Sequence, residues 1–235
     1  DSVRQIKNTF KRFLSIVAIV LLGVGFFAGI TATSPDMKDT IDTYFDDEDV
    51  MDIEVISTLG LTDEDIEALK QVDGTKEVVG TYSIDATFSN DKKEYVVKIE
   101  SMPDTINNVI HKEGSLPQNA DECVVESSLL TMTGYKIGDY ITLNPQKIES
   151  STSLGDDINN EEDSNDNNSN NEESDSNNDS TVKNKKVKIV GTVQSPLYIS
   201  RSRGTSKLGA GSVNFYMYMP KENFNMDVYT VAYIT

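Results

Sequence analysis

Read for hydrophobic and polar positions alone, the chain divides into one long apolar block and a series of short patterned segments. Phe13 to Ala32 reads FLSIVAIVLLGVGFFAGITA, twenty residues without a charge. At about 1.5 Å per residue this run predicts a helix of about 30 Å, the thickness of a bilayer's hydrocarbon core. Residues 13–33 are therefore read as a transmembrane helix. A cleaved secretory signal is the competing reading, since a basic start, an apolar stretch and the small residues from Thr31 to Ser34 satisfy its loose pattern. Signal cores, however, run about 7–15 residues, shorter than this block.

The segments on either side of the block set its direction. Arg4, Lys7, Lys11 and Arg12 precede it, and Asp36, Asp39, Asp42, Asp46 and Asp47 follow it. Basic residues beside a span stay on the cytoplasmic side, which places residues 1–12 inside the cell and the bulk of the chain outside. Val3, Ile6 and Phe10 fall at helical spacing among those basic residues, predicting a cytoplasmic amphipathic segment over 1–12. Beyond the span, Ser34 as an N-cap and Pro35 at the first helical position predict a stalk helix over 34–48, with Met37, Ile41 and Tyr44 along one face. Within the span, Gly25 and Gly29 form a GxxxG that removes side chains from one face, where a second helix packs closely.

After the stalk the periodicity shortens. Met51 to Ser57 alternates and predicts a strand. Thr62-Asp63-Glu64-Asp65 has capping-box spacing, and Ile66, Leu69 and Val72 give a single apolar helical face. Val78 to Phe88 and Tyr95 to Glu100 predict two strands about a turn at Ser89-Asn90-Asp91, completing a β-α-β-β layer. A second, β-rich unit begins at Glu122 to Glu126 and passes through a short helix at Ser127 to Met132. Its further strands are expected at Tyr140 to Leu143, Val187 to Val193, Val213 to Met219 and Val228 to Ile234. The fold class is thus α+β: a transmembrane helix and stalk, then a small α+β layer plus a barrel- or sandwich-like subdomain. Ser200 to Ser212, carrying Arg201, Arg203 and Lys207 among three glycines, is expected to be a mobile loop.

Composition changes this picture at one place. The chain of 235 residues carries a formal charge of −18, yet Glu149 to Val182 alone holds eleven Asp or Glu and no Lys or Arg. Taking those eleven from 39 acidic residues leaves 28 against 21 basic ones, a net of −7. Residues 149–186 are rich in Asn, Asp, Ser and Glu and poor in apolar surface, so they are expected to form a disordered insert. The outer domain then comprises residues 49–148 and 187–235, interrupted at a cost that grows only logarithmically with loop length. Neither portion offers a basic stripe with interleaved aromatics, which argues against a nucleic-acid partner.

Candidate chemistry is sparse. The single histidine, His111, lies in the loop-like stretch NNVIHKEG without a partner motif, and no HExxH, GxSxG or GxxxxGKS pattern occurs. No catalytic residue and no cofactor site is assigned. The lone Cys123 is read as a buried small hydrophobe. Asp163, Asn165 and Asn167 imitate the start of a calcium loop, but Asn168 replaces the required glycine and Ser174 the bidentate Glu, so no metal site is assigned either. Two sequons, at Asn167 and Asn178, are of the kind that Asn/Ser-rich composition generates by chance.

The segments RFLSIVAIVLLGVGFFAGITATSPDM and YFDDEDVMDIEVISTLGLTDEDIEAL resemble the start of a large Gram-positive ABC-transporter permease of the FtsX-like type. GSLPQNADECVVESSLL, YKIGDYITL and VKIVGTVQSP resemble the MacB-type extracytoplasmic core domain that follows the first span of such permeases. The resemblance covers nearly the whole chain apart from the insert. It implies a plasma-membrane permease subunit whose partners are the lipid bilayer, the remainder of the permease, a second permease copy and a cytoplasmic ABC ATPase. ATP hydrolysis would reside in that partner, its motion reaching the outer domain to serve export, lipid or peptide handling, or signalling. The chain ends VYTVAYIT, in apparent mid-strand, and is expected to continue into further spans. The rival reading is a self-contained, signal-anchored surface binding protein.

Overall fold

The computed structural model describes residues 10–90, 93–145, 180–200 and 202–235. The expected amphipathic segment over 1–12 falls almost wholly outside them, as do Arg4, Lys7, the turn residue Asp91 and nearly all of the acidic insert. The chain divides into two units, residues 1–47 and 48–235.

The described part of the first unit is one helix, α1 (Phe10–Asp47), 38 residues long with no buried side chain. It is long and apolar enough to cross a membrane. The expected break between span and stalk is absent: Ser34 and Pro35 lie inside the helix and do not cap a second one. Proline lacks an N–H and crowds the carbonyl four residues back. In the turns ahead of it, hydroxyls bond to the helix's own carbonyls, Thr31 Oγ1 to Phe27 O at 2.6 Å and Thr33 Oγ1 to Gly29 O at 2.7 Å. Such back-bonding satisfies polar side chains within an apolar helix.

The second unit is a mixed α+β domain built on two sheets. Strands β1 (Ile53–Leu61) and β2 (Val78–Thr81) flank the last strand of the chain, β11 (Tyr229–Ile234), in the antiparallel order β1-β11-β2. Helix α2 (Asp63–Lys70) joins β1 to β2. Its capping box forms as the sequence predicts: the Thr62 N–H donates to Asp65 Oδ2 at 2.8 Å, and the Asp65 N–H donates to Thr62 Oγ1 at 3.3 Å. The apolar face of α2 buries Ile66 against Leu61, Val78, Ala232 and Ile234.

The larger sheet has eight strands. Seven run in the order β5 (Ile110–Gly114), β9 (Lys186–Gln194), β6 (Glu122–Glu126), β10 (Phe215–Met219), β4 (Lys93–Ser101), β3 (Ser83–Asn90) and β8 (Asn144–Pro145), and β7 (Tyr140–Thr142) also pairs with β9. The β6-β9 and β4-β10 pairs are parallel. Helix α3 (Ser127–Thr133) follows β6 and ends at Gly134, whose φ of 81° supplies the left-handed cap.

A small α+β layer and a larger β-rich part are therefore both present, but their membership departs from chain order. The expected strand Val78 to Phe88 divides at Tyr82, giving β2 to the small sheet and β3 to the large one. Tyr82 itself stacks on Phe224, with ring centroids 5.0 Å apart. The final strand closes the first layer instead of the second. His111, expected in a loop, lies exposed on edge strand β5 opposite Val193.

Alternation along β10 gives the large sheet two different faces. Phe215, Met217 and Met219 enter the main core with Phe88, Val97, Ile99, Leu129 and Ile189. Tyr216 and Tyr218 point the other way, into a smaller cluster with Val124 and Val193.

Candidate functional site

The tyrosine face of the large sheet carries a connected set of buried polar groups. Register places Tyr218 beside Glu100 and Tyr216 beside Lys98 on the adjacent strands β10 and β4. On the far side of β4, Ser83 opposes Glu100 and Asp85 opposes Lys98. Lys98 is engaged by Asp85 at 2.8 Å.

Glu100 is only 4% exposed. Its Oε1 accepts from Ser83 Oγ at 2.9 Å and from the Tyr198 hydroxyl at 2.8 Å, and Tyr233 of the small sheet lies near enough for the carboxylate to raise its hydroxyl. Burial pushes its carboxyl up to about 7, although the bonds from Tyr198 and Ser83 and the charge of Lys98 oppose the shift. Tyr198 and Tyr233 are both held far above the ordinary tyrosine range by burial and by the neighbouring carboxylate, so both stay neutral.

A strap crosses this face. It starts at Ser195, whose hydroxyl shares a 2.6 Å hydrogen bond with Tyr218 and accepts from the Leu197 N–H at 3.2 Å. The turn Pro196–Tyr198 lays the Tyr198 ring on Tyr216 at 4.4 Å and 10°. Farther along, Arg203 pairs with Glu126 through two bonds, Nε to Oε2 at 3.0 Å and Nη2 to Oε1, while its guanidinium lies 5.8 Å from the Tyr216 ring centroid. The strap then doubles back through a bridge between Thr205 and Ser212, and Asn214 ties it to β4 by reciprocal bonds with the Val96 backbone at 2.8 and 2.9 Å. The loop expected to be mobile is thus anchored at several points. The pattern signalled only glycines and basic residues there, and the partner carboxylate of Arg203 lies 77 positions away.

Beside this cluster a shallow pocket opens between the two sheets. Glu100, Tyr218 and Tyr233 line it together with Asn107 and Lys221. Lys221 Nζ pairs with Asp104 at its rim.

The residues singled out from sequence lie elsewhere. Lys11 and Arg12 occupy the first turn of α1, exposed. Gly25 and Gly29 sit on the same helix with no atom within 4 Å of where a Cβ would stand, leaving that face open. Cys123 is fully buried, and burial pushes its thiol well above the usual range.

No family model and no curated protein matches this chain. Among solved structures, the chain is similar to the extracellular domain of the noncanonic ABC-type transporter YknZ from Gram-positive bacteria. That likeness has 13% identity and a TM-score of 0.39, and it covers 76% of this chain and 74% of the other.

Proposed function

We propose that this chain is a membrane-anchored subunit of an ABC-type transport system, its N-terminus cytoplasmic and its α+β domain outside the cell. The observation that carries this reading is α1. A helix of 38 residues is about 57 Å long, while a hydrocarbon core takes up about 20 residues. The remaining turns continue the same helix past Pro35 without a break. Motion generated at the inner end would then pass along one continuous helix instead of dissipating at a joint. The flanking charges give the orientation, with Lys11 and Arg12 before the apolar run and five Asp after it.

The sequence resemblance supplies the finer reading, an FtsX-like permease with a MacB-type core domain. In that reading ATP hydrolysis belongs to a cytoplasmic partner and this chain performs no catalytic step of its own. Gly25 and Gly29 then mark the face on which a neighbouring span, of the same permease or of a second copy, packs against α1.

Two experiments on the membrane-inserted chain test this. With buried Cys123 as a silent background, Leu116→Cys, at a position 43% exposed, is expected to react with an impermeant maleimide on intact cells. Ser2→Cys is expected to react only after permeabilisation, and the reverse pattern would sink the orientation. Gentle solubilisation should then retain an ABC ATPase. An outer domain with no ATPase retained would favour the rival, a surface binding protein.

A further inference from the structure

The pocket between the two sheets has a buried acid in its wall. Glu100 lines it at 4% exposure, and the Ser83 and Tyr198 hydroxyls both donate to Oε1. A further donor entering the pocket would be taken by Oε2. The other charged residues lining the pocket are Asp104 and Lys221, which pair with each other at its rim. Lys221 Nζ also lies 3.5 Å from Gly80 O, so the chain's own ammonium there is engaged. Lys98, on the same strand as Glu100, is paired with Asp85. The lining therefore carries one net negative charge, and it sits on a group that water scarcely reaches.

Size and polarity narrow the choice of ligand. The enclosed space takes one group about as large as a water molecule, and Val79, Met102, Pro103, Ile106 and Leu197 supply an apolar wall around it. An anion would meet the carboxylate. A guanidinium or a trimethylammonium is too bulky for the space. Among the described residues no three His, Cys, Asp or Glu side chains are grouped to hold a metal ion. A primary ammonium has the size of a water molecule, a compact positive charge and three donors, and its methylene stem can lie along apolar surface.

We propose that this pocket binds a primary ammonium carried on an unbranched methylene chain, the group borne by a lysine side chain or a free alkyl polyamine, with Glu100 as its counter-ion. The ligand's charge favours the ionised carboxyl, as do the two hydroxyls that already donate to it. Its stem runs out past Leu197 and Met102 toward the Lys221–Asp104 pair, whose own charges cancel. The site rests on the geometry of the outer domain alone and holds whichever partner the membrane helix serves.

Methyl NMR on the full chain in nanodiscs tests it, with labelled methionine and the Met102 signal assigned by its loss in Met102→Leu. The probes, at constant ionic strength, are the acetylated methylamides of lysine, arginine and ε-trimethyllysine, then cadaverine and sodium chloride. The lysine probe, cadaverine or both are expected to shift the Met102 signal saturably at millimolar concentration, and the remaining probes to leave it in place. Tighter binding of the lysine probe assigns the site to a peptide, and tighter binding of cadaverine to a polyamine. Glu100→Gln is expected to weaken the binding about tenfold or more, the loss of one charge-assisted hydrogen bond. No saturable shift with either amine would overturn the proposal. So would an equal response to arginine, to trimethyllysine or to sodium, or an affinity unchanged in Glu100→Gln. Should that variant not fold, Leu197→Trp, which fills the pocket from its apolar wall, takes its place, and a shift that survives there overturns the proposal.

Discussion

Arg203 and Glu126 form a two-bond ion pair across 77 positions of sequence, with side chains only 17% and 8% exposed. The pair fastens the strap to the end of β6, and Ser128 Oγ adds a 2.5 Å bond to the same carboxylate. Its value lies less in the attraction than in what removing one partner leaves behind.

Arg203→Leu strands a nearly buried carboxylate whose remaining partner among the described residues is the Ser128 hydroxyl. The expected loss is about 3 kcal/mol of domain stability, read from urea unfolding. Arg203→Leu combined with Glu126→Gln is expected to recover most of it, because no charge is then left buried. If the double variant is as unstable as the sum of the two single ones, the pair is not coupled and this account is wrong.

Glu100 imposes a pH dependence with a definite sign. Its folded value near 7 lies above its ordinary 4.5, so the native state holds the proton more tightly than the unfolded chain. Below pH 4.5 both states are protonated and the group contributes nothing. Between 4.5 and 7 the unfolded chain ionises first and stability falls; above 7 the full loss persists. A shift of this size corresponds to roughly 3 kcal/mol. Glu100→Gln is expected to be more stable than the parent at pH 8 and to match it at pH 4, in paired denaturation curves at the two pH values.

Gly191 and Gly134 are expected to respond differently to alanine. A Cβ at Gly191 would meet Glu113 O at 2.6 Å and Ser115 O at 2.5 Å, backbone atoms of the neighbouring strand and its exit that have no room to yield. Gly134 has open space but a φ of 81°. Gly191→Ala should cost about 3 kcal/mol through displaced strand pairing, and Gly134→Ala about 1 kcal/mol through backbone strain alone. Thermal melts of the two variants side by side check the order, and a larger loss at Gly134 would contradict it.

Cys123 is fully buried in the main core beside Val187 and Ile189. Burial, and behind it the charge of Glu122, keeps the thiol protonated at neutral pH. A disulfide reagent should therefore modify it only as fast as the domain opens, and at the free-thiol rate in denaturant. Rapid modification of the native chain would show that this core is not closed.

Several elements are legible in the sequence because their causes are local. A charge-free run of twenty residues, a Thr-x-x-Asp spacing ahead of an apolar face, and β-branched alternation each act within a few residues of chain. They account for α1, α2 and most strands of both sheets. The break expected at Pro35 fails for a related reason. The motif Ser-Pro favours a helix start wherever a helix is free to start, but here a preceding helix already runs through it.

By itself, then, the sequence determined where the chain is apolar, which way its flanking charges point, and which short segments are helix or strand. Tertiary structure decided what those segments pair with. No local pattern distinguishes β11 as the strand between β1 and β2, or β10 as the parallel neighbour of β4, because pairing energy comes from contact between segments over a hundred residues apart. Nor does the stretch Tyr95 to Ser101 mark Glu100 as different from Glu94. Both sit in one strand at even spacing, and only the strap from residue 195 onward, with Tyr233 from the chain's last strand, removes one of them from water.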